Sequence, residues 1–395
     1  MGQFSRITRA LAKSLGYSPD ELMSAFAPAV ESDYEAIIAF RRKHLGDHES
    51  WNDETYIRWR YAFSDGESTA NSRNRVWLVK LDDRILGMIG VQHAELVIGD
   101  RRLAAIHPMD LLVDASVAGG GLGAWVTLAL NQKYDIVLVI GANKNSATIV
   151  QRIFHPMPSR QVWKMALNAQ WLLDRFVLGR FAVPSRFAAL GRFVKARSLS
   201  CLIGALLNPL LRAVSNIKLA AYRRNGLRAE FLDRFPDAVE NLSESQKGQF
   251  FYRYRDAGFL NWKFAENPNV AYQRLGFYRD GELVGYVVYR LSGSGSASKA
   301  DVEDFFWLED DGGESGLPEA MFAELIGRLR DSRVGLVKVS SYGARATTAM
   351  ERLGFVFREE NLLFSLSCNV AELESVIYNA DNWFLTEADA HGAAS

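Results

Sequence analysis

Met109 to Leu130 reads MDLLVDASVAGGGLGAWVTLAL. Met109 to Val113 is a short apolar run with strand character. Asp114 to Gly123 is a loop with glycine at four of its last five positions. Ala124 to Leu130 continues as helix. A strand, a glycine-rich turn and a helix together make an anion cradle. Glycine lets the backbone approach a ligand without a Cβ in the way, and successive N–H groups at a positive helix end attract phosphate oxygens. The cradle residues are Gly119, Gly120, Gly121, Leu122, Gly123 and Ala124. A tight turn that simply needs glycine would read the same way.

The chain has 395 residues, enough for two domains or one large one. Apolar content of 48% and charged content of 23% are those of an ordinary globular protein. Lys+Arg and Asp+Glu balance at 46 each, so net charge selects no partner. Cys201 and Cys368 are the two cysteines. They form no CxxC and no zinc spacing, so neither a disulfide framework nor a structural metal is expected. Residues 1–24 begin as a basic amphipathic helix without the apolar core of a signal peptide. No apolar run of 18 residues exists, so no membrane span is expected and a cytoplasmic location is the default.

Ser32-Asp33-Tyr34-Glu35 reads as a capping box opening a helix to about His44. His44 and His48 lie four apart, but Gly46 interrupts the helix, so they read as a solvated helix end rather than a metal site. A short aromatic helix follows around Trp59. Strands are expected at 75–81, 85–97 and 103–113, a meander that feeds the glycine loop. After the loop helix come a buried strand at 136–140, a helix at 143–154 and a last strand at 161–167. From 169 to 228 eleven Lys/Arg stand against the single acidic Asp174 and alternate with apolar residues. This segment reads as an amphipathic helical linker, with peripheral contact to an anionic membrane as a second reading. No groove-reading motif accompanies the charge, so nucleic acid is not an expected partner.

The third region repeats the first. The segment around Trp262 echoes that around Trp59, and the 283–288 strand echoes the 85–90 strand. DVEDFFWL at 301–308 matches HPMDLLVD at 107–114 and aligns Asp304 with Asp110. The spacing of about 200 residues is too long for a solenoid, so the chain is a tandem duplication. The expected organisation is an N-terminal helix (1–24), a first unit (25–168), the linker (169–228), a second unit (229–370) and a tail (371–395).

With both units laid out, the chain resembles the GNAT superfamily of acyl-CoA-dependent N-acyltransferases in a tandem arrangement. The order helix, meander, strand, Gly loop, helix, strand, helix is that family's order. Its motif, Arg/Gln-x-x-Gly-x-Gly/Ala, falls on Ala118 to Gly123, with Gly121 and Gly123 matching and Ala118 replacing the leading Arg or Gln. Asn145 resembles the family's Asn before the fourth helix. The family's proton-donating tyrosine falls near Ile149 or Val150, and its second-unit position is Met350. The resemblance implies an α/β (α+β) fold of two mixed sheets flanked by helices. It implies acetyl-CoA as co-substrate, without a metal, held by the cradle and Asn145 in the first unit. The second unit's loop carries Glu309, Asp310, Asp311 and Glu314, which would repel a diphosphate. That unit is expected to shape the substrate site or to be degenerate.

The glycines also fit G-x-G-x-x-A (Gly119, Gly121, Ala124), a dinucleotide variant. That reading needs an early strand and an acid about 20 residues on, and the preceding meander argues against it. No P-loop or nucleophile elbow is present. The expected reaction is direct acyl transfer to an amine, which needs a base within reach. His107 and Asp110, on the strand before the loop, are the candidates, with Asp114 next. The resemblance places the thioester-polarising backbone donor near Leu112 or Val113. The Trp59 and Trp262 segments and the Asn382-Trp383-Phe384-Leu385-Thr386 tail resemble tandem acetyltransferases of bacterial surface-polysaccharide clusters, implying an amino-sugar acceptor. A non-catalytic binding module and a Fem-type aminoacyl transferase are the rival readings.

Overall fold

The computed structural model describes residues 2–46, 53–61, 75–142, 144–169, 171, 207–209, 219–222, 226–293, 298–309, 316–358, 360 and 363–390. His48, Cys201, Asp310, Asp311, Glu314 and nearly all of the basic segment 169–228 lie outside the described residues.

The strands of the first half are β1 (Phe26–Pro28), β2 (Arg75–Leu81), β3 (Arg84–Ile98), β4 (Arg101–Val113), β5 (Ile136–Ile140), β6 (His155–Met157) and β7 (Gln161–Ala166). Those of the second half are β8 (Arg228–Phe231), β9 (Tyr252–Arg253), β10 (Tyr272–Arg279), β11 (Glu282–Ser292), β12 (Lys299–Trp307), β13 (Leu336–Tyr342), β14 (Val356–Arg358), β15 (Phe364–Cys368) and β16 (Leu385–Thr386). The expected meander is β2-β3-β4, and Asp82 and Asp83 both take the left-handed backbone of a tight hairpin turn.

These strands build two mixed sheets of eight strands, the α/β architecture that the resemblance implies. One runs β1-β2-β3-β4-β5-β15-β6, with β9 pairing β3. The other runs β14-β7-β13-β12-β11-β10-β8, with β16 pairing β13. Each half hands a late strand to the other. β7 lies antiparallel between β13 and β14, with Val339 opposite Trp163. β15 lies antiparallel on β5, with Leu138 opposite Leu366. The segments 25–168 and 229–370 therefore do not map one to one onto the two sheets. One hydrophobic cluster joins the halves, packing Leu138 and Ile140 with Tyr342, Trp383 and Leu385.

The N-terminal segment folds as two helices, Gly2–Leu15 and Pro19–Ser24. Ser18 and Glu21 form a capping box at the second. The first packs on the loop helix, Leu122–Asn131, where the Trp125 indole donates to Thr8 Oγ1 at 2.9 Å. The helix expected from Ser32 starts instead at Tyr34. Asp33 accepts the Val30 N–H at 3.0 Å, which closes a 3-10 turn over Glu31–Asp33 and leaves Ser32 inside it. Among the described residues no helix is long and apolar enough to cross a membrane.

Candidate functional site

β4 and β5 run parallel at the centre of the first sheet, yet they register a single pair, Ile106 opposite Val137. The Leu138 carbonyl faces β4, where His107 Nδ1 approaches it at 2.8 Å. A parallel ladder would next bring the N–H of residue 108 to that carbonyl. Residue 108 is proline and has none, so the ladder stops. The His107 ring takes over the orphaned acceptor, which fixes the proton on Nδ1. β4 continues seven residues past Ile106 to Val113 and β5 three residues past Val137 to Ile140 with no further pair between them, so the two edges run on unpaired as a slot. His107, a candidate base, is 2% exposed and closes the inner end of this slot.

Farther along β4 a bulge intervenes. Met88 opposes Leu112 and Gly90 opposes Met109, so β4 carries one extra residue. Asp110 sits in it with φ of +49°, a backbone that L residues rarely hold without support. The support is electrostatic. Arg60 Nε lies 2.8 Å and Arg41 Nη1 3.5 Å from Asp110 Oδ2, and the Tyr61 hydroxyl donates to the same oxygen. Burial raises the Tyr61 hydroxyl well above its ordinary value and the Asp110 charge adds to this, so the phenol stays a donor. Burial alone would lower Arg60, but the Asp110 charge reverses that and holds the guanidinium cationic. Gly90 makes room for the arrangement: a Cβ there would stand 2.8 Å from Met109 Cγ and 3.1 Å from Tyr61 Cε1. The Asp110 side chain is 14% exposed. Arg41, Arg60 and Tyr61 were not singled out from the sequence; RWRY at 58–61 was the available signal for Arg60 and Tyr61, and Arg41 had none.

The bulge also turns the backbone. Asp114 N donates to Leu86 O on β3. By strand alternation Leu112 N faces β3 as well, whereas Leu111 and Val113 N face the slot. Of the two expected carbonyl-polarising donors, Val113 is thus turned to the slot and Leu112 away from it.

The glycine loop follows. Asp114 anchors its start. Its carboxylate accepts from Lys43 Nζ at 2.6 Å and from Ser116 N and Oγ at 2.9 and 2.6 Å, and these bonds hold it well below the usual carboxylate range. His44 Nε2 lies 3.7 Å away, so the one described histidine of the His44/His48 pair leans on the loop anchor. Gly119 and Gly121 have φ of +83° and +90°, and a Cβ on either would meet nothing within 4 Å. They are therefore glycines for backbone reasons, and the space before them is open. Residues 118–121 are exposed. Gly123 instead packs under the loop, its Cβ position 3.5 Å from Val113 Cγ2. Val117, Ala118 and Gly120 spend their amides on the turn, and Trp125 N donates to Gly121 O. The amides of Gly119, Gly121, Leu122, Gly123 and Ala124 meet no protein acceptor among the described residues. Such a cluster of donors at a helix start fits a diphosphate. Asn145 lies in the Lys144–Ile153 helix after β5, and its side chain is outside the described residues. Among the described residues no group of three or more His, Cys, Asp or Glu is placed to hold a metal ion.

The second sheet repeats the central features with a different outcome. β12 carries an extra residue where Val288 opposes Asp304 and Tyr289 opposes Val302. Asp304 accepts from Arg255 Nε at 3.1 Å and from the Tyr286 hydroxyl at 2.7 Å, the same arginine–carboxylate–tyrosine set as at Asp110. β12 and β13 pair in parallel as far as Val302 and Val339. Beyond that point β16 pairs with Ser341 and Tyr342 of β13. Thr386 Oγ1 then reaches Asp304 Oδ1 at 2.7 Å, and Asp389 takes Arg255 Nη2 at 2.8 Å. Lys263 Nζ bonds the carbonyls of Ala388 and Ala390. The C-terminal segment thus fills the second opening, and Asp304 is fully buried. Glu309, the described member of its acidic flank, pairs with Arg345.

No family model matches the sequence, and no curated protein matches it. Solved structures do. A GCN5-related N-acetyltransferase from Anabaena variabilis ATCC 29413 aligns over 88% of this chain and 73% of its own, with a TM-score of 0.55 at 10% identity. A conserved protein of unknown function from Enterococcus faecalis V583, described as a probable N-acyltransferase, aligns over 86% and 71%, with a TM-score of 0.54 at 10% identity. Saccharomyces cerevisiae N-myristoyltransferase with bound myristoyl-CoA aligns over 87% and 83%, with a TM-score of 0.48 at 11% identity. With its two mixed sheets, this chain has the fold of the GNAT N-acyltransferases in tandem arrangement.

Proposed function

We propose that the first unit transfers an acyl group from a CoA thioester to an amine. One observation carries this reading: five amides without protein acceptors among the described residues follow β4 on the side where its pairing with β5 has stopped. The backbone of Gly119, Gly121, Leu122, Gly123 and Ala124 would hold the diphosphate, and no side-chain cation at position 118 is needed for that. The thioester arm would lie in the slot, with the Val113 and Leu111 amides available to its carbonyl. Asn145, in the helix that follows β5, is the further cofactor contact that the resemblance implies. Acetyl is the acyl group and an amino sugar the acceptor to test first.

The amine nitrogen attacks the thioester carbonyl carbon. The C–N bond forms, the C–S bond breaks, the amine loses a proton and the thiolate gains one. Asp110 is the carboxylate beside the slot. Paired with Arg60 and bonded by Tyr61, it is held in one orientation, which suits it to align an ammonium and to take its proton through water. His107, 2% exposed and bonded to Leu138 O, is better suited to hold the strand pair than to reach the amine. The closed second opening supports a single CoA site per chain, with the second unit walling the acceptor side.

Calorimetric titration with acetyl-CoA tests the reading. Binding at one site, lost in Gly121→Asp while the fold is kept, is the expected result. No binding to wild type, or equal binding to Gly121→Asp, overturns it. Thiol release on adding an amine panel then separates an enzyme from a binding module, and stimulation by charged tRNA alone would favour the aminoacyl transferase.

A further inference from the structure

We infer that the helical layer over the first sheet is a docking face for an anionic lipid surface. The inference is independent of the acyl-transfer reading, since it uses none of the glycine-loop amides. Three helices form the layer: Gly2–Leu15, Leu122–Asn131 and Lys144–Ile153. They bury Leu11, Trp125 and Val150 in one hydrophobic cluster with Ile106 of β4 and Val137 of β5. None of the three helices contains Asp or Glu, in a chain whose 46 acidic residues balance its 46 basic ones. Charge on this side is sorted, not mixed.

The cations are placed outward. On the first helix Thr8, Leu11 and Ala12 are buried, whereas Arg6, Arg9 and Lys13 are exposed. Their spacing sets all three in one stripe along the side away from the core. Lys133, just past the second helix, and Arg152, in the last turn of the third, are exposed as well. Among the described residues none of these five pairs with a carboxylate. Arg9 Nε donates to Ser5 O at 3.3 Å, and Lys133 Nζ lies 4.9 Å from the Trp77 ring centroid. Elsewhere on the surface arginines hold carboxylates, as Arg58 holds Glu31 and Arg352 holds Glu319. Like charges three and four residues apart destabilise their own helix, so the stripe has a cost that no described side chain offsets.

The occupant must therefore be anionic. The chain's own segment 169–228, with eleven Lys/Arg against one acid, would be repelled, and so would the same face of a second copy. The five cations are spread over two helices and a turn instead of being gathered in a cleft. A small anion would meet one of them, whereas an extended surface meets them together. Segment 169–228 interleaves its cations with phenylalanines, a pattern that suits a lipid interface, and no groove-reading motif is present. Lipid is favoured over nucleic acid for these reasons. Attraction by five cations alone is reversible and screened by salt.

The test is co-sedimentation of the full chain with phosphatidylcholine vesicles, with and without about 30% phosphatidylglycerol, at low salt. Wild type should bind the anionic vesicles about tenfold more, and about 0.5 M salt should remove the difference. Arg6→Glu/Arg9→Glu/Lys13→Glu should lower binding to anionic vesicles about tenfold. That variant should unfold at no lower temperature than wild type, because the reversed side chains have no carboxylate partner to lose. Lys133→Glu/Arg152→Glu reads the same face independently, with a loss of about threefold expected, and carries the test if the triple variant does not fold. Equal binding of wild type to both vesicles, or to neither, overturns the inference. A folded triple variant that binds as wild type does overturns it too. Duplex DNA that binds the chain more tightly than anionic vesicles do, with the same loss in the triple variant, would make the partner nucleic acid and overturn the lipid assignment.

Discussion

Trp59 and Trp262 stack on each other, ring centroids 5.1 Å apart and planes 18° from parallel, and each indole donates to the other's backbone carbonyl, at 2.8 and 2.9 Å. The two residues occupy equivalent places in the repeat. The reciprocal bonds mark a local two-fold relation between the halves, and the exchange of β7 and β15 has the same sense. Trp262 is buried, with one ring face on Trp59 and its N–H on a carbonyl, so it packs the junction between the halves. Trp262→Phe removes one of the two bonds and leaves a carbonyl short, which should cost about 1–2 kcal/mol. Trp262→Ala should cost about 3–5 kcal/mol. Urea unfolding checks both. Because each sheet contains a strand of the other half, wild type should unfold in one transition by fluorescence and circular dichroism together.

Gly121 and its positive φ separate geometry from charge. Gly121→Ala introduces only the strain of a left-handed L residue, about 1–2 kcal/mol, with no clash within 4 Å. It should weaken CoA binding partially. Gly121→Asp adds a negative charge where the diphosphate would lie, and should reduce binding far more for a similar loss of stability. Parallel calorimetry and thermal unfolding distinguish the two effects.

Pro108 keeps the slot open. Pro108→Ala restores an N–H opposite Leu138 O, which then competes with His107 for the same acceptor. The expected result is a β4–β5 ladder one step longer, a more stable protein and weaker binding of acyl-CoA. Hydrogen exchange at residue 108 and a CoA titration read these outcomes.

Asp110→Asn keeps the shape of the bulge but loses the charge. Activity on an amine should fall about 10²–10⁴-fold, with CoA affinity nearly unchanged. Arg60→Met should also lower activity by freeing Asp110 from its set orientation. Initial rates with saturating thioester check both.

Glu303 offers a pH signature in the second unit. Burial is the main cause that pushes its carboxyl up to about 7, despite Arg290 Nε at 2.8 Å. Between about pH 4.5 and 7 the folded chain holds a proton that the unfolded chain has lost, so this group lowers stability as pH rises through that window. By pH 8 the loss is about 3 kcal/mol. Glu303→Gln should flatten the fall in urea midpoint between pH 5 and pH 8.

Much of the framework was legible in the residues. Alternating apolar positions gave the meander, Asp82-Asp83 gave its turn, and the match of DVED to HPMD placed Asp304 and Asp110 at corresponding bulges. The strand exchange was not legible. Alternation in QVWKMA or FSLSC tells which face a residue takes, not which strand lies beside it. The closing of the second opening was hidden for a related reason: β16 is two residues long and carries no periodic signal. At the site, the glycines announced themselves because only their backbone conformation matters. Arg60, Tyr61 and Arg41 did not, since their meaning depends on a carboxylate about fifty or more residues away in the chain. Pro108 was visible as a residue, but its effect required knowing that Leu138 O faces it.

The most direct test of the central claim is the stoichiometry of acetyl-CoA binding to the intact chain. Amides without protein acceptors among the described residues of the first unit, and the C-terminal segment packed on Asp304 in the second, lead this account to predict one molecule per chain, lost in Gly121→Asp. Two molecules per chain, or none, would contradict the account.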